Sequence, residues 1–384
     1  MNAKKNRIYL DYCATTPIRP EVVQAMLPAL EDTFGNPSSL HAEGRAGAEL
    51  LRSARTSVAA SLRASPEEVV FTSGATEADN LALAGIMQAL SPNVNHLITS
   101  AIEHHAVLHA AERLSEQDIR VTVLPVDGYG RVDPQALMDS IEQDTGLVSI
   151  MTVNNEVGTV QPVHELARIA HDNGLLFHTD AVQGVSTTSL SLAGLPADAI
   201  SLSGHKIYGP KGIGCLLLRK DLEIKPLLHG GPQEMERRAG TENVAGAAGF
   251  ATALQLSTEH RNEIYTHLSR LRQRLLAGLQ ELLPEAHVNG HPSHFAAHVL
   301  SVTFPGVEAE MALYLLDQEG IAASMGSACN AESIEPSHVL LAMGISRADI
   351  AGTIRFSFGL PTAETDLDRL LEVLPGIVER ARVA

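Results

Sequence analysis

Cysteine is scarce in this chain. Only Cys13, Cys215 and Cys329 occur among 384 residues, far apart and with no C-x-x-C pair, which excludes a disulfide framework or a thiolate zinc site. Basic residues are the minority: 45 acids against 28 Lys and Arg give a formal net charge of −17. Nucleic-acid affinity rests on cations that displace counterions, so this balance excludes a phosphate-backbone partner. No run approaches the roughly 20 apolar residues that span a bilayer. The opening MNAKKNRIYLDY has basic residues with no apolar stretch behind them. The expectation is a cytoplasmic protein with neither membrane nor nucleic acid as a partner. Trp is absent, aromatics are 4%, and no repeat, low-complexity tract or Pro/Gly/Ser linker interrupts the chain.

What is present fits a globular enzyme-sized protein. Hydrophobic residues are 45% and charged residues 19%, and the length favours one large domain plus a smaller one. From Val69 to Arg219 short β-branched or apolar runs alternate with amphipathic segments, the pattern of an α/β sheet with crossover helices. Seven strands are predicted: VVFTS (69–73), HLITS (96–100), VTVLPV (121–126), LVSIMTV (147–153), LLFHTD (175–180), AISLSG (199–204) and GCLLLR (214–219). They fit one seven-stranded, mostly parallel sheet. Helices are predicted over 77–90, 106–117, 134–141 and 163–173, the last stopping at Asn173-Gly174. After about Ala245 long helical periodicity (247–283) gives way to short strands around 298–304 and 353–358 and a C-terminal helix. The predicted division is a large domain over 15–255 and a small α+β domain made of 1–14 and 256–384.

The stretch SLSGHKIYGPKGIG (201–214) puts Lys206 at a strand end between Ser203, His205 and a Gly/Pro-rich turn. A surface turn would suit a lysine, but this setting suits a desolvated Schiff-base lysine better. In LLFHTDAVQG (175–184) Asp180 ends a strand and Gln183 follows. Ligands of open α/β sheets sit at that end, where a carboxylate either holds a protonated ring nitrogen or caps the next helix. FTSGATEADN (71–80) is a strand, a Gly turn and a helix start, so Ala75 and Thr76 lie where free amides attract phosphate. Ser203 and His205 would complete that cup.

His104 and His105 follow a strand, and His105 with His109 has i, i+4 spacing. Zinc would need a third ligand that is not evident, which leaves one histidine packing on a flat ring, moving protons, or bonded structurally. Cys329 stands among small residues in SMGSACNAESIEPSHV (324–339), the setting of an exposed thiol, whereas Cys215 in GCLLLR reads as buried and inert. Cys13 has no activating partner in view. Arg355 in TIRFSFG (353–359) points outward, or inward as a bidentate clamp for a carboxylate.

These blocks together resemble a known family. DYCATTPIRPEV, FGNPSSLH, FTSGATEADN, EHHAVL, NNEVGT, FHTDAVQ, SGHKIYGPKG, RRAGTEN, GSAC with SIEPSHV, and TIRFSFG stand in the order seen in the cysteine desulfurases of the class V aminotransferase group. Those are fold-type I pyridoxal 5'-phosphate (PLP) enzymes. The resemblance implies that Lys206 carries PLP, Asp180 faces its ring nitrogen and His104 stacks on the ring. Gln183 and Asn155 would sit near the phenolic oxygen and the substrate. Ala75, Thr76, Ser203 and His205, with Thr241 of RRAGTEN from a second subunit, would hold the phosphate across a homodimer interface. Arg355 would take the carboxylate of L-cysteine. Cys329 would carry the sulfur as a persulfide to acceptor proteins, such as an iron–sulfur scaffold or a tRNA-thiolation partner, with no resident metal beyond a transient iron–sulfur contact at Cys329. The chain ends at ERARVA without the extended tail of housekeeping iron–sulfur members, and RAGTEN is nearer to the nitrogen-fixation type. An aminotransferase or selenocysteine lyase would share the cofactor residues, and a retired scaffold would keep only the fold.

Overall fold

The computed structural model describes residues 7–90, 93–185, 194–326 and 336–382. All seven predicted strands form and join one sheet. Their spatial order is Val69–Thr72, Gly214–Leu218, Ala199–Ser203, Leu176–Asp180, Thr145–Ser149, His96–Ser100 and Arg120–Leu124. Gly214–Leu218 runs antiparallel to both of its neighbours, and the other pairings are parallel.

Near-continuous apolar strands are what a sheet covered on both faces requires. The period of two sends alternate residues into opposite layers. Val69, Phe71, Ile98, Val148 and Cys215 enter one core with the helices Ala42–Leu62, Val163–Asp172 and Val244–Glu259. Val70, Leu97, Leu147 and Leu216 enter the other, against Ala75–Ala89 and His105–Ser115. Only the edge strand Arg120–Leu124 leaves residues open to solvent, Arg120 and Val123 among them.

A further core lies under the three-stranded antiparallel sheet of Thr353–Ser357, Val299–Thr303 and His287–Asn289. The helices Arg261–Leu282, Ala309–Gln318 and Glu364–Arg380 cover it, and Leu10 joins it from the N-terminal segment, where Ile8–Tyr9 pairs with Ile321–Ala322. The long helical periodicity over 247–283 falls on two helices, Val244–Glu259 and Arg261–Leu282, which meet at His260 (φ −98°, ψ 14°). Among the described residues no helix is long and apolar enough to cross a membrane.

One ion pair ties helix, sheet and loop together. Glu234, Met235 and Glu236 hold positive φ of 48°, 58° and 65°, a run that L-residues adopt at about 1–2 kcal/mol each. The Glu234 carboxylate offsets this by accepting from Arg55 Nη2 at 2.6 Å, Arg55 Nη1 at 2.8 Å and the Phe71 amide at 2.9 Å. Both charges are largely buried. Glu234→Ala would leave the Arg55 guanidinium without its counter-charge, bonded only to the Val69 carbonyl, and the Phe71 amide without its acceptor. It is expected to lower stability by about 3 kcal/mol, read as a lower urea midpoint at unchanged slope; an unchanged midpoint would contradict this account.

Candidate active site

A cavity of about 540 Å³ opens at the carboxyl ends of the parallel strands, where ligands of such sheets gather. Five of the strands deliver their next residues there. Asp180 and Gln183 come from one, Ser203 to Lys206 from the next, Asn155 and Glu156 from beyond Thr145–Ser149, and His104 from beyond His96–Ser100. The turn after Val69–Thr72 adds Ser73 to Thr76, and Arg355 closes one side.

Lys206 ends a single turn, Gly204–Lys206, directly after its strand. Its Nζ donates to the carbonyls of Cys13 at 2.6 Å and Ala14 at 2.9 Å, so the amine is held inside the cavity. Asp180 is buried at the end of its strand. It accepts from the Val182 amide at 2.9 Å as a turn cap, yet lines the cavity. Burial raises its pKa, while the Val182 amide and Lys206 pull it back.

The helix Ala75–Ala89 starts at the cavity wall, and its N-cap is Gly74, which has no side chain to satisfy the first amides. Ala75, Thr76, Ser203 and His205 all line the cavity, and between them they offer the kind of donors that a phosphate needs. Gly214 explains itself here: a Cβ would lie 2.6 Å from the carbonyl carbon of Gly74. Glu77 in the same first turn would repel an anion, but Arg238 Nε binds it at 2.8 Å.

His104 caps the helix His105–Ser115, its Nδ1 accepting from the Ala106 amide at 3.1 Å. Burial, then Lys206, lowers its pKa to about 4, which leaves the ring neutral. His105 and His109 stack at 4.9 Å, and His105 lies 4.7 Å from His338. Among the described residues no His, Cys, Asp or Glu cluster could hold a metal.

Arg355 points inward and is 2% exposed. Its Nη1 donates to the carbonyls of Asn155 (2.9 Å) and Gly326 (2.7 Å), and its Nη2 to Asp11 (2.9 Å). Thr241 is exposed and lines no part of the cavity of this single chain. Cys329 lies outside the described residues. The thiol of Cys13 is buried and burial raises its pKa, so this residue serves the cavity through its carbonyl.

Several cavity groups were not singled out in the sequence. Asp79 is 1% exposed and raised well above the usual carboxylate range by burial and by Asp180. Its signal was an acid on the buried stripe of its helix, beside Ala78, Ala82 and Leu83. Glu156, also buried, accepts from Ser337 Oγ at 2.6 Å. The carbonyls of Cys13 and Ala14 leave no sequence signal at all.

The class V aminotransferase model matches residues 8–370. The chain belongs to this family. A class V relative from Methanosarcina thermophila, named cysteine desulfurase IscS, is 48% identical over 382 residues, 100% of this chain and 94% of that protein. A second of that name, from Dictyoglomus turgidum, is 44% identical over 98% of this chain and 96% of that protein. A solved NifS-like protein superposes with a TM-score of 0.91 at 37% identity, covering 97% of this chain and all of the other. The seven-stranded sheet is thus that of the fold-type I PLP enzymes, and PLP is the cofactor. The class V cavity fits that group in its donor set: an amine, a buried carboxylate, a neutral imidazole and a helix N-terminus open to phosphate.

Proposed function

We propose that the chain is a cysteine desulfurase that converts L-cysteine to L-alanine and leaves the sulfur as a persulfide on Cys329, for transfer to acceptor proteins such as an iron–sulfur scaffold. The observation that carries this reading is Lys206 Nζ, held at 2.6 Å inside a cavity that also contains Asp180, in a chain 48% identical to a named cysteine desulfurase.

Bound PLP supplies an electron sink for the pair left when a substrate proton is removed. Lys206 carries the cofactor, then takes and returns the Cα proton of the substrate. Asp180 would hold the ring nitrogen and His104, neutral, would pack on the ring. Gln183 and Asn155 orient the phenolic oxygen and the substrate. Ala75, Thr76, Ser203 and His205 hold the phosphate, with Thr241 of a second subunit. Arg355 attracts the substrate carboxylate by its charge. The Cys329 thiolate attacks the substrate sulfur; the Cβ–Sγ bond breaks, its electron pair stays on carbon, and protonation there yields L-alanine.

The same reading divides the chain into a large domain over 15–255 and a small one of 1–14 and 256–384, supported by the separate cores. It makes the protein a cytoplasmic homodimer in iron–sulfur biogenesis.

The test follows alanine and persulfide formed from L-cysteine. Cys329→Ser is expected to lose persulfide formation while keeping the visible band of bound PLP. Undiminished sulfur transfer by that variant would sink the assignment, and transamination in place of alanine release would favour an aminotransferase.

A further inference from the structure

His298 lies outside the described cavity wall, 4% exposed, just before the strand Val299–Thr303. Its Nε2 is 2.9 Å from Gln183 Oε1. On the other side of that amide, Gln183 Nε2 donates to the Cys13 carbonyl at 3.2 Å. The same carbonyl accepts from Lys206 Nζ at 2.6 Å. A continuous line of bonds therefore runs from His298 through Gln183 and Cys13 to the cavity lysine.

The polarity of that line is determined. A Gln amide has one acceptor end and one donor end. The Cys13 carbonyl accepts only, so an amide turned the other way would set two oxygens against each other. Oε1 must therefore face His298, and His298 must donate from Nε2. The other ring nitrogen, Nδ1, is buried with no hydrogen-bond partner, as an unprotonated nitrogen tolerates better than a buried N–H.

We propose that His298 is a positioning residue: its Nε2–H fixes the Gln183 amide so that the NH2 end, not the carbonyl, faces the Cys13 carbonyl and the Lys206 side of the cavity. The inference rests on the function proposed above, in which Gln183 neighbours the phenolic oxygen of PLP. Burial supports the neutral tautomer, lowering the His298 pKa to about 3, and the charges of Arg355 and Lys206 add to it. Without the His298 donor only the Cys13 carbonyl, at 3.2 Å, still orients the amide, so its NH2 end is held less tightly beside a phenolic oxygen that carries negative charge.

The test titrates the visible band of bound PLP against pH in the holoenzyme for wild type, His298→Gln, His298→Asn and His298→Leu. Gln places an amide nitrogen near the position of Nε2 and should keep the wild-type midpoint. Asn reaches only the Nδ1 position and Leu has no donor. Both should raise the midpoint by about one pH unit, because a donor near the phenolic oxygen favours its anionic form. Coincident midpoints in all four proteins overturn the inference, and so does a shift in His298→Gln as large as in His298→Asn, which would mark a merely structural role. If His298→Leu does not fold, the Gln and Asn pair decides alone by the same criteria. A wild-type protein that shows no visible band with PLP overturns the cofactor reading itself, a result distinct from unshifted midpoints.

Discussion

Lys206→Ala is expected to lower turnover of L-cysteine by about 10⁴-fold, the upper range for loss of a positioned proton-transfer group. That corresponds to about 5.5 kcal/mol of activation free energy. The expectation follows from geometry. The Nζ atom is anchored between the carbonyls of Cys13 and Ala14, and the neighbouring imidazoles of His104 and His205 are both held near pKa 4 by burial and by Lys206 itself. With both imidazoles this weakly basic, the amine is the stronger base of the three. Lys206→Arg keeps the charge but neither the nucleophilicity nor an accessible pKa, so it should be as inactive as the alanine variant. Steady-state alanine release checks both. Activity within tenfold of wild type in either variant would remove Lys206 from the chemistry.

The layers of the large sheet were legible because their cause is local. A strand buried on both faces reads as a continuous apolar run, and Val70 against Phe71 or Leu97 against Ile98 need only the period of two to be assigned to opposite cores. Lys206, Asp180 and the Ala75–Thr76 turn were legible for a related reason: strand ends and helix starts can be placed from sequence, and chemistry collects there. The helix Ala42–Leu62 was legible but not singled out. Gly44, Gly47, Leu51, Ala54, Val58 and Leu62 mark its buried stripe, yet small residues there weaken the apolar signal. What could not be read depends on segments far apart in the chain. The Cys13 carbonyl meets Lys206 across 193 positions, Gln183 meets His298 across 115, and Arg55 meets Glu234 across 179. A backbone carbonyl carries no residue-type signature, and an inward arginine such as Arg355 is distinguished from an outward one only by the Asp11, Asn155 and Gly326 partners that folding supplies.

Asp180→Asn should separate activity from stability. An amide cannot hold a proton on a ring nitrogen as a carboxylate does, so the ring loses much of its capacity as an electron sink. A fall in turnover of about 10³-fold is expected, or about 4 kcal/mol. The same change should stabilise the cofactor-free protein at neutral pH. Asp180 and Asp79 are both buried, both have raised pKa values, and Asp79 is raised further by the charge of Asp180. A carboxyl whose folded pKa lies above its unfolded value favours the folded chain at low pH, and that advantage is lost as pH climbs through the raised value. At pH 7 the ionised Asp180 is therefore a burden on the cofactor-free fold. Asn removes it and lets Asp79 ionise against one neighbour fewer. Thermal unfolding without PLP should show the variant more stable at pH 7 by on the order of 1 kcal/mol, with the gap closing as pH falls to roughly 4, where the wild-type carboxyl is also neutral. With PLP bound the order should reverse, because only the carboxylate offsets a protonated ring. A variant less stable than wild type at pH 7 without PLP would show that the Val182 amide bond outweighs the burial of the charge.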